Sequence, residues 1–261
     1  MPPLHAYVIN LDRDSNRWKH IQESFHGTSF LLSRVSAIDG NTLALPSPYF
    51  DATRFRLFHG RLVNIYEIAC YISHIKAIQS FLQSNEEHAL ICEDDIVVHP
   101  ELETIITAAL KEKDSWNILR LSGLSPGNPI FLKQLTHNYS LSLELCRLKG
   151  AGAYILDRKA AASYVKHLLP MWLPWDHAFD REWFLGLRAL VVMPFPINQT
   201  REEFPSNIQK NSQPKCSTLQ RWYTTYPYQI FNELTRYLFR LSSLVAWMIP
   251  ISKASRTRID K

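Results

Sequence analysis

Apolar positions come in short runs separated by polar, turn-forming stretches, and the period alternates between strand-like and helix-like. His5 to Leu11 (HAYVINL) is a β-branched and aromatic run that predicts a buried strand. Asp12 to Ser15 is a polar turn, and Asp14 or Ser15 is placed to cap a helix over Asn16 to Phe25 with Trp18, Ile21 and Phe25 on one face. Phe30 to Ile38 predicts a second strand, and Leu45 to Gly60, rich in proline and then in arginine and aromatics, predicts a loop. Residues 66–83 carry a helical stripe of Ile68, Ile72, Ile75 and Ile78 to Leu82. Ala89 to Cys92 predicts a short strand running into Glu93-Asp94-Asp95, and Pro100 opens a helix to Lys111. Further strands are predicted at Ile118 to Leu121, Gly150 to Leu156 and Leu190 to Met193. The stretch 122–149 is loop with short hairpin pieces, and Asp157 caps a helix from Arg158 to Leu169. Strands alternating with helices predict an α/β fold around a mainly parallel central sheet flanked by helices.

Composition adds little to this picture, but the placement of charge adds something. The 261 residues suffice for one large core, and the formal net charge is +5. Ten of the Lys and Arg against four of the Asp and Glu fall in Arg201 to Lys261, so the basic excess is C-terminal. No block interleaves basic and aromatic residues as a nucleic-acid surface does. The four cysteines have no metal-ligand spacing and read as core or free thiols in a reducing compartment. No signal peptide or spanning segment is expected. Phe231 to Ile251 is amphipathic and then apolar, with Lys253, Arg256 and Arg258 behind it. It reads either as a helix docked on the domain or as an interfacial segment on an anionic membrane. The expected division is a catalytic domain over 1–229 and a basic amphipathic segment over 230–261.

Four groups of residues carry chemistry. Glu93-Asp94-Asp95 ends a hydrophobic strand, where open α/β sheets bind ligands. Three adjacent carboxylates repel one another unless a cation lies among them. Strand alternation points Glu93 and Asp95 the same way, so they form the expected pair for Mg²⁺ or Mn²⁺, while the plainer reading is a solvated acidic loop. Arg13 and Arg17, four apart at a helix start, can share a face and grip a diphosphate, or simply sit in solvent. Glu67 and His74 lie two turns apart on one helix, so both can face one cleft as pocket residues, or His74 can be a buried core histidine. Zinc is not expected at Cys70 and His74. Trp175-Asp176-His177 and Asp180 could serve an acceptor sugar, with tryptophan faces stacking on the sugar and a carboxylate accepting its proton. Alternatively the tryptophans are core and Asp176 caps a helix from His177 to Leu187. The chain contains no hydrolase elbow, phosphate loop or dinucleotide fingerprint.

Taken in order, Val8 to Arg13 with Arg17, Ala37 to Gly40, Glu67 to Cys70 with Ser73-His74, Cys92 to Asp95, Gly150 to Tyr154, Trp175-Asp176, Asn198-Gln199 and Ser206 to Ile208 resemble the bacterial lipooligosaccharide galactosyltransferases of glycosyltransferase family 25. The resemblance implies a GT-A-like nucleotide-sugar-binding fold and an inverting transfer of galactose from UDP-galactose to a lipid A-linked oligosaccharide acceptor, with a β-1,4 linkage. It implies a divalent metal at the acidic triplet and places Asn10, Arg13, Arg17 and Asp94 near the donor. Gly150 and Gly152 would lie at the back of the site, and Asp176 near the acceptor. It also implies a bacterial cytoplasmic protein, peripheral on the inner membrane. The family's Gly-Glu-x-Gly-Cys is here Tyr66-Glu67-Ile68-Ala69-Cys70, and Tyr66 would change any close backbone approach to the ligand. Inverting transfer needs a base on the acceptor hydroxyl, for which Asp176 is the assignment and Asp180 the alternative. Two other readings are a metal-dependent nucleotidyl- or phosphotransferase and a non-enzymatic glycan-binding protein.

Overall fold

The structure is a computed structural model that describes residues 3–125, 127–199 and 207–248. The N-terminal apolar run forms β1 (His5–Asn10), followed by α1 (Ser15–Ser24) and β2 (Leu31–Ser36). Next come α2 (Ala52–His59), α3 (Ile65–Gln83), β3 (His88–Glu93), β4 (Ile96–Val98) and α4 (Leu102–Leu110). They are followed by β5 (Ile118–Arg120), β6 (Pro129–Gln134), β7 (Ser140–Glu144), β8 (Ala153–Asp157), α5 (Arg158–His167) and α6 (Trp175–Phe179). The last elements are β9 (Ala189–Met193), β10 (Ile197–Gln199), α7 (Asn207–Lys210), α8 (Thr218–Tyr223) and α9 (Thr225–Met248).

Eight strands form one sheet in the order β2-β1-β3-β8-β5-β9-β7-β6, and β4 pairs with β10 beside it. The sheet is mixed, which corrects the expectation of a mainly parallel one. β1 is parallel to β2 and β3, and β5 to β9, whereas β8 runs antiparallel to both β3 and β5, and β7 to both β6 and β9. Where a helix links neighbours, as between β1 and β2, the strands are parallel. The chain from β5 to β8 carries the β6–β7 hairpin and no crossover helix, so β8 returns antiparallel. Hydrophobic periodicity marks a strand but not its direction.

Alternate residues of the central strands face opposite layers. Ala6, Val8, Leu90 and Cys92 pack with Ile21 of α1 and Ile105 and Ile106 of α4. Tyr7, Ile9, Ala89 and Ile91 pack with Ile68, Ile75 and Ile78 of α3 and Ala160 and Tyr164 of α5. The result is helices on both faces of a sheet, with each fully buried isoleucine contributing roughly 1.5–3 kcal/mol. Several helices carry caps written in the sequence. Asn64 and Glu67 form a capping box at the start of α3. The stretch expected to be loop contains α2, whose N-cap Asp51 accepts from the Arg54 N–H and whose C-cap Gly60 is left-handed at φ 71°.

Helix α9 starts at Thr225, so the expected boundary between 229 and 230 falls inside it. Its polarity is inverted. The inward face carries Asn232, Arg236 and Arg240, all buried, while Ile230, Phe231, Leu234, Leu238, Val245 and Met248 are exposed. The arginines enter a buried cluster in which Asp180 Oδ1 accepts from Arg120 at 2.8 Å and Arg240 at 2.9 Å, and Arg236 approaches Oδ2 at 3.3 Å. Arg240 also bonds Glu182 at 2.7 Å. Among the described residues no helix is long and apolar enough to cross a membrane. The basic flank with Lys253, Arg256 and Arg258 lies outside the described residues.

Candidate active site

Parallel β1 and β3 end side by side, so Ile9 and Glu93 open on the same crevice with Asn10 buried behind it, and the turn after β2 adds Asp39 and Gly40. The cleft is lined by Arg13, Arg17, Tyr66, Cys70, His74 and the triplet Glu93-Asp94-Asp95, among others. The antiparallel strand β8 delivers its starting residues to the same place, since the Glu93 N–H donates to the Gly152 carbonyl at 2.9 Å. The glycine at 152 leaves room for the Gln199 amide. A Cβ would meet Gln199 Nε2 at 2.7 Å, and that amide donates to Glu93 Oε2 at 3.0 Å and reaches Asp95 Oδ1 at 3.5 Å. Gly150, at φ 83°, donates its N–H to Asp176 Oδ2 at 3.5 Å and accepts from Arg120 through its carbonyl.

The triplet divides as strand alternation predicts. Asp94 turns towards the start of α1, where its two oxygens accept from Asn10 at 2.6 Å and Arg17 at 2.7 Å. Asn10 is itself held by Arg34 Nε at 2.7 Å. Glu93 and Asp95 turn the other way and share Gln199. Burial pushes the Asp95 carboxyl up to about 7, with the charges of Glu93 and Asp94 adding to the rise and Arg17 opposing it. Burial likewise raises Asp94 against the pull of Arg17. A divalent cation between Glu93 and Asp95 would relieve this crowding. Arg13 is paired with Asp39 and Arg17 with Asp94, so both line the cleft with an acidic partner already in place.

His74, fully buried, stacks on Trp175 with ring centroids 4.6 Å apart and 8° between planes. Its Nδ1 lies 3.0 Å from the Tyr154 hydroxyl and its Nε2 3.4 Å from Glu93 Oε1. Trp175 is also buried, among Tyr71, Tyr154, Tyr164 and Phe179, so its ring faces the core and not a sugar. Asp176 does not cap a long helix. It sits in the first turn of the short α6, whose N-cap is Pro174. It is half-buried beside Cys70 and Glu67, and burial first, then charges including its own, raises both groups. Glu67 spends one oxygen on its capping box, accepting from the Asn64 N–H at 3.3 Å. His177 stands between Arg147, 3.2 Å away, and the ring of His59, and burial lowers its basicity.

Asp180 is the one expected base that the structure removes from the cleft. At 1% exposure among three arginines it is fully committed, and although burial alone would raise its carboxyl, the guanidiniums bring it below the usual range. Three residues at or beside the acids receive no site role from sequence, although Asn198-Gln199 belongs to the family-like set and Tyr66 is marked as a change near the ligand. Gln199 is delivered by β10, a three-residue strand too short to show a period. Cys70 reads as a small core residue, yet it faces the cleft. Tyr66 lays its ring against Gly40, where a Cβ would come within 2.5 Å, and donates its hydroxyl to Asn41 Oδ1 at 2.7 Å. Of the segment Ser206 to Ile208, Ile208 lines the cleft and Ser206 lies outside the described residues.

Residues 4–179 match glycosyltransferase family 25, described as LPS biosynthesis proteins. A stretch of 101 residues is 30% identical to a glycosyltransferase 25 family member of Anopheles gambiae, covering 37% of this chain and 17% of that protein. A family member of Drosophila pseudoobscura pseudoobscura is 25% identical over 231 residues, 76% of this chain and 35% of the relative. The chain therefore spans well under half the length of these curated relatives. Among solved structures, a glycosyltransferase involved in glycosylation of the major capsid of PBCV-1 overlays with a TM-score of 0.36 at 10% identity, covering 73% of this chain and 81% of that one.

Proposed function

The chain belongs to glycosyltransferase family 25, and from that premise we propose that it is an inverting galactosyltransferase acting on a lipooligosaccharide sugar with UDP-galactose as donor and forming a β-1,4 linkage. The observation that carries the reading is the crowding of Glu93 and Asp95 at the end of β3, where one side-chain amide, that of Gln199, reaches both. Asp176, which accepts from the Gly150 N–H, is the acid this reading assigns to the acceptor.

In this reading Glu93 and Asp95 hold Mn²⁺ or Mg²⁺, which when bound neutralises the leaving diphosphate. Asn10 and Arg17 hold Asp94 in place, so that it meets the donor sugar or ribose as a fixed acceptor of hydrogen bonds. Arg13, on the exposed rim with Asp39, is the guanidinium best able to exchange its partner for a phosphate. Gly150 and Gly152 keep the back wall thin enough for Gln199 and the ligand. Asp176 takes the proton of the acceptor hydroxyl as the new glycosidic bond forms on the face opposite the departing diphosphate. Glu67, Trp175, His74 and His177 shape and stiffen that wall and do not move protons themselves.

The acceptor's lipid suggests where the enzyme works. The exposed apolar face of α8 and α9, with Trp222 at 65% and Met248 at 70% exposure, continues in sequence into Lys253, Arg256 and Arg258. That combination suits peripheral binding to an anionic bilayer, here the cytoplasmic face of a bacterial inner membrane. Analysis of the donor's products tests the reaction class. Galactosyl transfer leaves free UDP and an extended glycan. A nucleotidyl- or phosphotransferase sharing the same acidic cleft would instead yield pyrophosphate or a nucleotidylated product.

A further inference from the structure

Beneath the Glu93–Asp95 pair, a different set of ligands converges. Cys70 and His74 are four apart on α3 and project from one face, as paired metal ligands on a helix must. A Cys70 sulfur, a His74 ring nitrogen and a Glu93 carboxylate oxygen all lie within 4.8 Å of one another. The His74 Nε2 to Glu93 Oε1 separation is 3.4 Å. A tetrahedral zinc ion, with bonds of about 2.0–2.3 Å, spaces its ligand atoms about 3.3–3.6 Å apart. One edge of the tetrahedron is thus already set, and the sulfur needs only a small closure.

The surroundings are those of a supported metal site. The other nitrogen of His74 is held by the Tyr154 hydroxyl at 3.0 Å, and the ring is clamped flat on Trp175. The other oxygen of Glu93 is held by Gln199 at 3.0 Å. Outer partners of this kind fix the orientation of ligands and strengthen binding. Cys70, His74 and Glu93 all line the cleft, so a fourth coordination position faces ligand and solvent.

We propose that Cys70, His74 and Glu93 form a zinc site with its open position towards the cleft. A thiolate and an imidazole select zinc over magnesium, so this site differs in chemical class from the all-oxygen pair of Glu93 and Asp95. Glu93 belongs to both. Zinc at the lower position therefore draws Glu93 away from Asp95 and antagonises the harder ion above it. The inference stands on the positions of three side chains and is independent of glycosyl transfer.

The test uses the full chain carrying Cys146→Ser and Cys216→Ser, stripped of metal and titrated with Co²⁺ while absorption is recorded. Cys92 packs in the opposite core layer and cannot contribute. The expected result is a thiolate-to-cobalt charge-transfer band with the strong visible absorption of a four-coordinate ion, both removed by added Zn²⁺. Cys70→Ser abolishes the charge-transfer band with an unchanged circular dichroism spectrum, and Glu93→Gln weakens Co²⁺ binding by about 10-fold or more. Folded protein that shows no charge-transfer band, a band that persists in Cys70→Ser, or undiminished affinity in Glu93→Gln would overturn the proposal. An inactive transferase that still shows the band leaves it standing.

Discussion

Asp176 and Asp180 lie one helical turn apart, yet their surroundings assign them opposite work. Asp180 is buried among three arginines, whereas Asp176 is half-buried and accepts a hydrogen bond from the Gly150 N–H. Asp176→Asn is therefore expected to lower kcat by about 10²–10⁴-fold while the donor KM changes little, as removal of a general base does. Steady-state kinetics with a saturating acceptor would check the split, and an equal loss in donor binding would move Asp176 out of the role of base. The sequence showed both acids and their spacing, but not which one three distant arginines would claim. His59 illustrates the same limit. Its ring nitrogens have no hydrogen-bond partner among the described residues, and burial, aided by His177, Arg61, Arg147 and Arg221, lowers its pKa from 6.5 to about 3. The unfolded chain then binds the extra proton, so this contribution to stability is complete above about pH 6.5 and is lost as pH falls towards 3. His59→Phe should flatten the fall in Tm on the acid side, which thermal melts across that range would reveal.

At the scale of elements, the strands and helices that make the crevice were legible because each carries its own period or cap. The run HAYVINL gives β1, the isoleucine stripe gives α3, and Asp157 caps α5 by accepting from the Ala160 N–H at 2.7 Å. What the pattern could not convey is direction and partnership. Strand β8 reads the same whether it runs parallel or antiparallel, yet its antiparallel course is what brings Gly152 to the acids, while the pairing of β10 with β4 brings Gln199. Helix α9 misled for a different reason. Its arginines look like a solvated face, but Arg236 and Arg240 are the buried anchors, and Leu234, Leu238 and Leu241 are outside. Those anchors make a prediction. Asp180→Asn leaves Arg120, Arg236 and Arg240 without their shared counter-charge and should destabilise the protein by about 3–5 kcal/mol, the range for breaking a buried pair. Chemical denaturation would measure it, and a change below about 1 kcal/mol, the scale of a surface pair, would mean that α9 is held by other contacts.

For the whole molecule, the exposed apolar side chains of α9 are followed in sequence by the basic residues Lys253, Arg256 and Arg258. On the proposed reading, charge would draw the protein to an anionic bilayer and the apolar stripe would hold it there. Sedimentation with vesicles containing phosphatidylglycerol should therefore recover the protein in the pellet. Leu234→Glu with Leu238→Glu should release most of it without altering the melting curve, since both side chains are exposed. Binding that is unaffected by these changes, or equal on neutral vesicles, would disconnect α9 from the membrane. The catalytic claim can be tested apart from any bilayer. UDP release is measured on purified protein with a panel of UDP-sugars and a truncated lipooligosaccharide acceptor, with and without Mn²⁺, for the native chain and for Asp95→Ala. The account predicts acceptor-stimulated, Mn²⁺-dependent release from UDP-galactose that Asp95→Ala abolishes. Folded protein that releases no UDP from any donor with a verified acceptor, or releases it equally without Mn²⁺ and in Asp95→Ala, would contradict it.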